Sequence, residues 1–347
     1  MATSDSQDGG SPEMREFRYT NPIIHDPELA MRDHCIVKDG DRWYCTGTSH
    51  PIWAGKNPGV RLLVSNNLLD WVHHSWLIDA KTLPIDCPYN GRFWAPEIHR
   101  INDVYYLTVN SGRVTDEDPK GMSNHSVWLF SAPKITGPYR LLNGPLTDRY
   151  NNDATLFADD DGKTYLYCSG NGLFQAEIDL KTGKIQGVLE KFLDKKQPGY
   201  PDWMVGGIEG PFVVKRDGTY FMFFSTWTRG YELGLLRSRS PLGPWELVDP
   251  EPIFGTRKRK YRPELAKEGG YDNLLFDDTP DPYCETGHNA LFEGPDGNLW
   301  TSCHYMLCGQ EPEFRAHLPQ LGFEPLEFRD GRFHISGPTW TQQVVQF

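Results

Sequence analysis

The run Gly207-Ile208-Glu209-Gly210-Pro211-Phe212-Val213-Val214-Lys215-Arg216-Asp217-Gly218-Thr219-Tyr220-Phe221-Met222-Phe223-Phe224 sets one carboxylate ahead of an apolar stretch, turns at Asp-Gly and returns through aromatics. Two strand-like runs about an Asp-Gly pair form the pattern of a β-hairpin. Four other stretches repeat the scheme: they begin at Asp33, Glu97, Asp153 and His288, and each passes through an apolar run and a turn to an aromatic. From anchor to first returning aromatic the separations are 10, 8, 12, 11 and 12 residues, and successive anchors lie 64, 56, 56 and 79 residues apart. Self-similarity at such a period marks a repeat architecture.

Later parts of the units echo one another as well. Ser131-Ala132-Pro133-Lys134-Ile135-Thr136-Gly137-Pro138-Tyr139 resembles Ser238-Arg239-Ser240-Pro241-Leu242-Gly243-Pro244-Trp245. Each unit therefore has room for a third and a fourth strand, and a four-stranded antiparallel sheet repeated radially is a propeller blade. The expected fold is all-β, a five-bladed β-propeller with four antiparallel strands per blade. The 34 Gly, 27 Pro and 13% aromatic content suit many short strands joined by tight turns. One domain is expected over 17–347, because units that cannot bury both faces alone must stack on their neighbours. The long last interval points to an insertion at about 249–284, and Phe17–Ile24 is expected to add a strand to the last blade. Residues 1–16 read as a disordered leader or as a remnant that replaced a signal.

A net charge of −12 leaves no basic excess to displace counterions from a phosphate backbone, so no nucleic-acid partner is expected. The basic cluster Arg257-Lys258-Arg259-Lys260 reads as a solvated loop within the insertion. Seven scattered Cys, without a C-x-x-C pair, give neither a zinc site nor a disulfide framework. No run of about 18 apolar residues is present, so no membrane span is expected. The polar N-terminus lacks the apolar core of a secretion signal. This leaves the compartment open: secreted or periplasmic if a signal was removed, cytoplasmic otherwise. The oligomeric state is open as well.

In a propeller the first strand of every blade lines the axis, so residues opening those strands converge on one pocket. Asp33, Glu97, Asp153, Glu209 and His288 would meet there, and carboxylates sharing a site push one another's pKa values apart. Trp94 and Trp203 lie on loops that would rim this pocket, with Trp53, Phe93 and Trp227 as weaker choices for stacking a flat ligand, and Trp94 is the one singled out. Asp159-Asp160-Asp161-Gly162 lacks the alternating ligands of a calcium loop and reads as a hairpin turn.

Taken together, Asp33 ten residues before Trp43-Tyr44, Trp94-Ala95-Pro96-Glu97, Asp153 before a Phe and an acidic turn, Ile208-Glu209-Gly210-Pro211 and Gly287-His288-Asn289 resemble glycoside hydrolase family 43 from about Asn21 to Phe347. The resemblance implies an inverting hydrolase that removes a terminal α-L-arabinofuranosyl unit, or a β-D-xylosyl or galactosyl unit, from plant or algal poly- and oligosaccharides. It implies Asp33 as general base, Glu209 as general acid, and Asp153 as the carboxylate that orients the acid and keeps its pKa high. Those residue types suit inversion, which needs one carboxylate to activate water and one protonated carboxyl to protonate the leaving oxygen. An endo-acting arabinanase on the same fold and a non-catalytic propeller that binds glycan or protein are the alternatives.

The family's usual Asp-Pro is absent at Asp33-His34, and an Asp26-Pro27 pair stands seven residues earlier. Spacing favours Asp33, with Asp26 as a turn residue near the mouth that touches substrate. Glu97 and Arg315 are further expected substrate contacts; Arg315 falls where the family places an arginine near the acid. No cofactor is expected for the chemistry. The resemblance also implies a structural calcium ion in the axial channel beside His288, largely water-coordinated because calcium prefers six to eight oxygens. The rival reading makes His288 a buried imidazole hydrogen-bonded to the carboxylates.

Overall fold

Alternation of inward and outward residues, punctuated by tight turns, generates five successive four-stranded meanders. The structure, a computed structural model, describes residues 15–52, 56–119, 121–148, 150–194, 198–228, 230–256, 282–307 and 319–347. A short strand β1 (Glu16–Tyr19) precedes the blades. Blade one holds β2 (Met31–Asp39), β3 (Arg42–Ser49), β4 (Gly59–Ser65) and β5 (Val72–Asp79). Blade two holds β6 (Trp94–Ile101), β7 (Val104–Ser111), β8 (Ser126–Ala132) and β9 (Arg140–Asn143). Blade three runs through β10 (Asn152–Ala158), β11 (Thr164–Gly170), β12 (Gly172–Asp179) and β13 (Lys184–Leu193). Blade four has β14 (Ile208–Arg216), β15 (Thr219–Thr226), β16 (Tyr231–Ser238) and a two-residue β17 (Glu246–Leu247), and β18 (Phe254–Thr256) pairs with β16 beside it. Blade five comprises β19 (Tyr283–Glu293), β20 (Leu299–Leu307), β21 (Gln320–Arg329) and β22 (Arg332–Ile335), and β23 (Gln343–Gln346) follows.

Within each blade, consecutive strands pair antiparallel in sequence order. The turn between β14 and β15 has positive φ at both Asp217 (50°) and Gly218 (70°), the backbone that matches the twist of a two-residue hairpin. Asp159–Gly162 likewise forms a hairpin turn, closed by Asp159 N–H donating to Lys163 O at 2.9 Å.

The aromatics are spent between blades. Trp43 and Trp71 pack with Trp300 and Phe323 where blade five meets blade one. Tyr44 and Tyr105 join Trp128 and Phe130 between blades one and two, and Leu129, Leu156 and Phe174 fill the next interface. Tyr167, Trp203 and Phe224 lie between blades three and four, and Phe221, Phe223, Tyr305 and Phe333 between four and five. Polar clamps add direction at the turn end. Asp159 of blade three accepts from Lys215 and Tyr220 of blade four, and Asp39 of blade one accepts from Tyr105 of blade two. The six described cysteines are buried, and no disulfide joins any two of them.

Ring closure differs from expectation. The N-terminal strand does not join the last blade: β1 pairs with β23 as a separate two-stranded ribbon, and blade five is built wholly from 283–335. The ribbon is held instead by buried Glu324 on β21. Its carboxylate accepts from Tyr19, Asn21, Tyr305 and both the N–H and the hydroxyl of Thr339, at 2.7–3.2 Å. Both terminal segments thus meet on one carboxylate.

Burial pushes that carboxyl up to about 7, against the pull of its Thr339 and tyrosine donors. A carboxyl raised above its unfolded value of about 4.3 binds more protons folded than unfolded between those pH values. Its contribution to stability is therefore full below about pH 4 and is lost as pH rises through about 7. Glu324→Gln is expected to flatten the fall in unfolding free energy between about pH 5 and about pH 7, by on the order of 1 kcal/mol per pH unit. Differential scanning calorimetry across that range measures it, and an unchanged slope would contradict the assignment.

Candidate active site

One backbone device recurs on the innermost strand of every blade. In β2, Asp33-His34 together oppose one residue of β3; Ala95-Pro96, Asp153-Ala154, Gly210-Pro211 and His288-Asn289 do the same in β6, β10, β14 and β19. The first residue of each pair has positive φ: 56° at Asp33, 40° at Ala95, 49° at Asp153, 57° at Gly210 and 52° at His288. These are β-bulges whose first residue is left-handed, which re-aims side chains at the point where the strand reaches the axis. Four of the five are not glycine, and such strain clusters at functional sites.

The bulges define three levels. Residues just before them are Arg32, Trp94, Asn152, Glu209 and Gly287, and the first four line a cavity of about 260 Å³. At the bulges, Asp33, Asp153 and His288 line the same cavity. Just beyond them, Glu97 sits deeper along the axis, outside the cavity lining, with Oε2 3.2 Å from His99 Nε2. The structure thus brings Asp33, Asp153, Glu209, His288 and Trp94 together and leaves Glu97 outside that cavity.

Asp33 accepts from Thr48 Oγ1 at 2.6 Å, and its Oδ1 lies 3.3 Å from His288 Nδ1. Burial alone would raise its pKa, but His288, Arg32 and the Thr48 hydrogen bond outweigh burial and hold the carboxyl below its usual range. Asp153 accepts from Ser169 at 3.0 Å and from the Gly210 amide at 3.1 Å, so the residue after Glu209 anchors it. Its carboxyl is pushed up to about 7, first by burial and then by Glu209. Glu209 is also raised, chiefly by burial. One ligand atom from each of Asp153, Glu209 and His288 falls within 4.8 Å of the others. Two carboxyls that close together, one buried and one partly so, favour a proton between them where an isolated one would be ionised. Burial would discharge the His288 imidazole, but the surrounding Asp33, Asp153 and Glu209 raise its pKa instead.

Tyr231, at the start of β16, was not visible as a site residue in the sequence. Its hydroxyl donates to Glu209 Oε1 and lies 3.3 Å from His288 Nδ1. The ring is seated against Gly287, where a Cβ would come within 2.3 Å of it, and that packing accounts for the glycine before His288. Arg32 is the other omission. It reaches His304 Nε2 at 3.2 Å, lies 3.9 Å from Asp33 and lines the cavity one residue before the bulge, in the position Glu209 takes in blade four.

The remaining expectations fall elsewhere. Asp26 is exposed and caps a short 3-10 turn, accepting from the Glu28 amide at 2.9 Å, and it does not line the cavity. Trp203 and Phe93 are core residues: Trp203 stacks on Phe224 at 5.9 Å, and Phe93 is buried between blades one and two. Trp227 lines the cavity, and Trp94 does so while donating to Ile52 O. Arg315, Trp53, Arg257–Lys260 and most of the 249–284 insertion lie outside the described residues.

The grouping of Asp153, Glu209 and His288 is one a cation could approach. Asp153 Oδ2 already accepts from Ser169 and Gly210, Glu209 Oε1 accepts from Tyr231, and His288 Nδ1 faces Asp33 and Tyr231. The second oxygen of each carboxylate and water would have to supply the six to eight oxygens calcium takes.

The model of glycosyl hydrolases family 43 matches residues 19–333. Xylosidase/arabinosidase 43B of Humicola insolens is 26% identical over 281 residues, 75% of this chain and 48% of its own length. Xylan 1,3-beta-xylosidase of Vibrio sp is 25% identical, covering 88% of this chain and 52% of its own. Extracellular endo-alpha-(1->5)-L-arabinanase 2 of Bacillus subtilis (strain 168) is 25% identical, covering 85% and 68%. The chain spans about half the length of the first two. Among solved structures, a thermostable family-43 glycoside hydrolase matches with a TM-score of 0.72 at 25% identity, over 94% of this chain and 98% of that one.

Proposed function

The chain belongs to glycosyl hydrolases family 43, and from that premise we propose that it hydrolyses glycosidic bonds with inversion, removing a terminal α-L-arabinofuranosyl or a related β-D-xylosyl or galactosyl unit. The observation that carries this reading is the split among the cavity's carboxyls. His288, Arg32 and Thr48 favour an ionised Asp33, while burial and mutual proximity favour a proton on the Asp153–Glu209 pair. Opposite pKa shifts on two carboxyls in one site assign base and acid.

Asp33 takes a proton from water as the water oxygen bonds to the anomeric carbon. Glu209 gives its proton to the departing oxygen as the glycosidic bond breaks. The new hydroxyl arrives on the face opposite the leaving group, so the configuration inverts. Asp33 has no direct hydrogen bond to Glu209; His288 and Tyr231 stand between them, an arrangement that supports room for the water. Asp153 fixes the strand behind the acid through the Gly210 amide, and burial of the two carboxyls favours a proton on the pair. The names of the relatives, xylosidase, arabinosidase and arabinanase, support pentose substrates, and a cavity of about 260 Å³ favours one terminal ring over a run of sugars.

Proton NMR of the first sugar released from aryl glycosides and plant oligosaccharides tests the proposal. The expected first product has the anomeric configuration opposite to that of the substrate. Retention would overturn the mechanism, and no turnover across the panel would favour a glycan-binding propeller.

A further inference from the structure

In every blade the last residue before the bulge pairs with a polar residue of the second strand. These partners are Thr48, Asn110, Ser169, Ser225 and His304, in blades one to five. Asn110 donates to Trp94 O at 3.1 Å, His304 meets Arg32 at 3.2 Å, and the Ser225 hydroxyl has no partner. Only Thr48 and Ser169 stand in blades whose bulge opens on an aspartate. Both donate to its Oδ2, at 2.6 Å to Asp33 and at 3.0 Å to Asp153.

The following blade then treats the two aspartates differently. The Gly210 amide, first in the bulge of blade four, donates directly to Asp153 Oδ2 at 3.1 Å. The Ala95 amide, first in the bulge of blade two, stops at Thr48 Oγ1, 2.8 Å away. Resting on the glycosidase reading above, we propose that Thr48 is the positioning residue of the base: it takes the blade-two amide in place of Asp33 and passes on one directed hydrogen bond.

A hydroxyl has one proton and two lone pairs. The Ala95 N–H can only donate, so it occupies a lone pair of Oγ1 and leaves the proton of Thr48 to Asp33. Both residues are buried, and loss of the hydroxyl would strand the amide. Asp153 Oδ2 accepts two hydrogen bonds, one for each lone pair, as suits a carboxyl that braces its neighbour. Asp33 accepts one, from Thr48, and its Oδ1, 3.3 Å from His288 Nδ1, is left to accept from water. Ala95 also follows Trp94, so the same hydroxyl ties the base to the strand that presents Trp94 to the cavity. Base and cavity wall are thereby held in one frame, and small misplacements of such groups are costly to the rate.

Thr48→Val keeps the shape of the side chain and removes both hydrogen bonds, whereas Thr48→Ser keeps them. On an aryl glycoside of the panel above, Thr48→Val is expected to lower kcat about 10- to 100-fold with KM within about threefold, and Thr48→Ser to stay within about threefold of the parent. A merely structural role would cost activity whether or not the base is present. A double-mutant cycle separates the two, because Thr48→Val added to Asp33→Asn is expected to lower the residual turnover by less than about threefold. Circular dichroism and thermal melting check that the variants fold, and Thr48→Ala, with the same expected losses, replaces Thr48→Val if that variant does not. Equal losses in the two backgrounds, a Thr48→Ser as slow as Thr48→Val, or a Thr48→Val as fast as the parent would each overturn the assignment. A parent that hydrolyses nothing in the panel would instead remove the glycosidase reading beneath it.

Discussion

Asp33→Asn is expected to lower kcat/KM by about 10²- to 10⁴-fold, the usual worth of a positioned general base, while Asp26→Asn stays within about twofold, as a surface cap should. The substitution at Asp33 keeps the shape of the side chain. It also keeps the fold, since Asn tolerates the left-handed backbone that Asp33 adopts at φ 56°. An amide can still accept from Thr48 but cannot take a proton from water. A small anion that needs no deprotonation, such as azide, is therefore expected to restore turnover in the variant and to yield a glycosyl azide of inverted configuration. Steady-state kinetics with and without azide measure both effects. Full activity in Asp33→Asn, or its loss in Asp26→Asn, would move the base to the other aspartate.

Glu209→Gln is expected to cost about 10²- to 10⁴-fold on a substrate with a sugar leaving group, and much less on an aryl glycoside whose phenolate departs without a proton. The pH profile gives a second, independent signature. Glu209 acts protonated, with its pKa raised by burial, so activity of the parent falls as pH rises through that pKa. Asp33 acts ionised, with its pKa held low by His288 and Arg32 against burial, so activity falls again only toward acid pH. In the variant the alkaline limb is expected to vanish on the activated aryl substrate while the acid limb remains. An alkaline limb that persists would assign the proton to another group, Asp153 first among them.

The propeller was legible because hairpin turns and returning aromatics are local signals, and five of them recur in order. The alignment of the blades was less legible. Counting back from the aromatic put Glu97 and Glu209 in one register with Asp33, yet in the bulge frame Glu97 lies two residues late and Glu209 one early. The reason is that a bulge is set by φ, which spacing does not report. A signal was present in Ala95-Pro96 and Gly210-Pro211: both put proline second in the bulge, the place His34 takes in blade one. Proline alone would have pointed to Asp26-Pro27; only the backbone shows that this pair belongs to a 3-10 turn and that the bulge of blade one falls at Asp33-His34. Tyr231 escaped because it reaches Glu209 from the third strand of its blade, a contact that depends on the space above Gly287. The termini misled for a related reason, since the strength of β1 as a strand is local while its partner β23 and its anchor Glu324 are more than 300 residues away.

The five bulges also bear on how such a chain can diversify. Each keeps the same left-handed backbone whatever side chain it exhibits, as Ala95, Asp153, Gly210 and His288 attest. Inheritance can therefore rewrite the chemistry of the axis one blade at a time, exchanging what is displayed at Arg32, Trp94 or Asn152 while the ring beneath goes on folding as before.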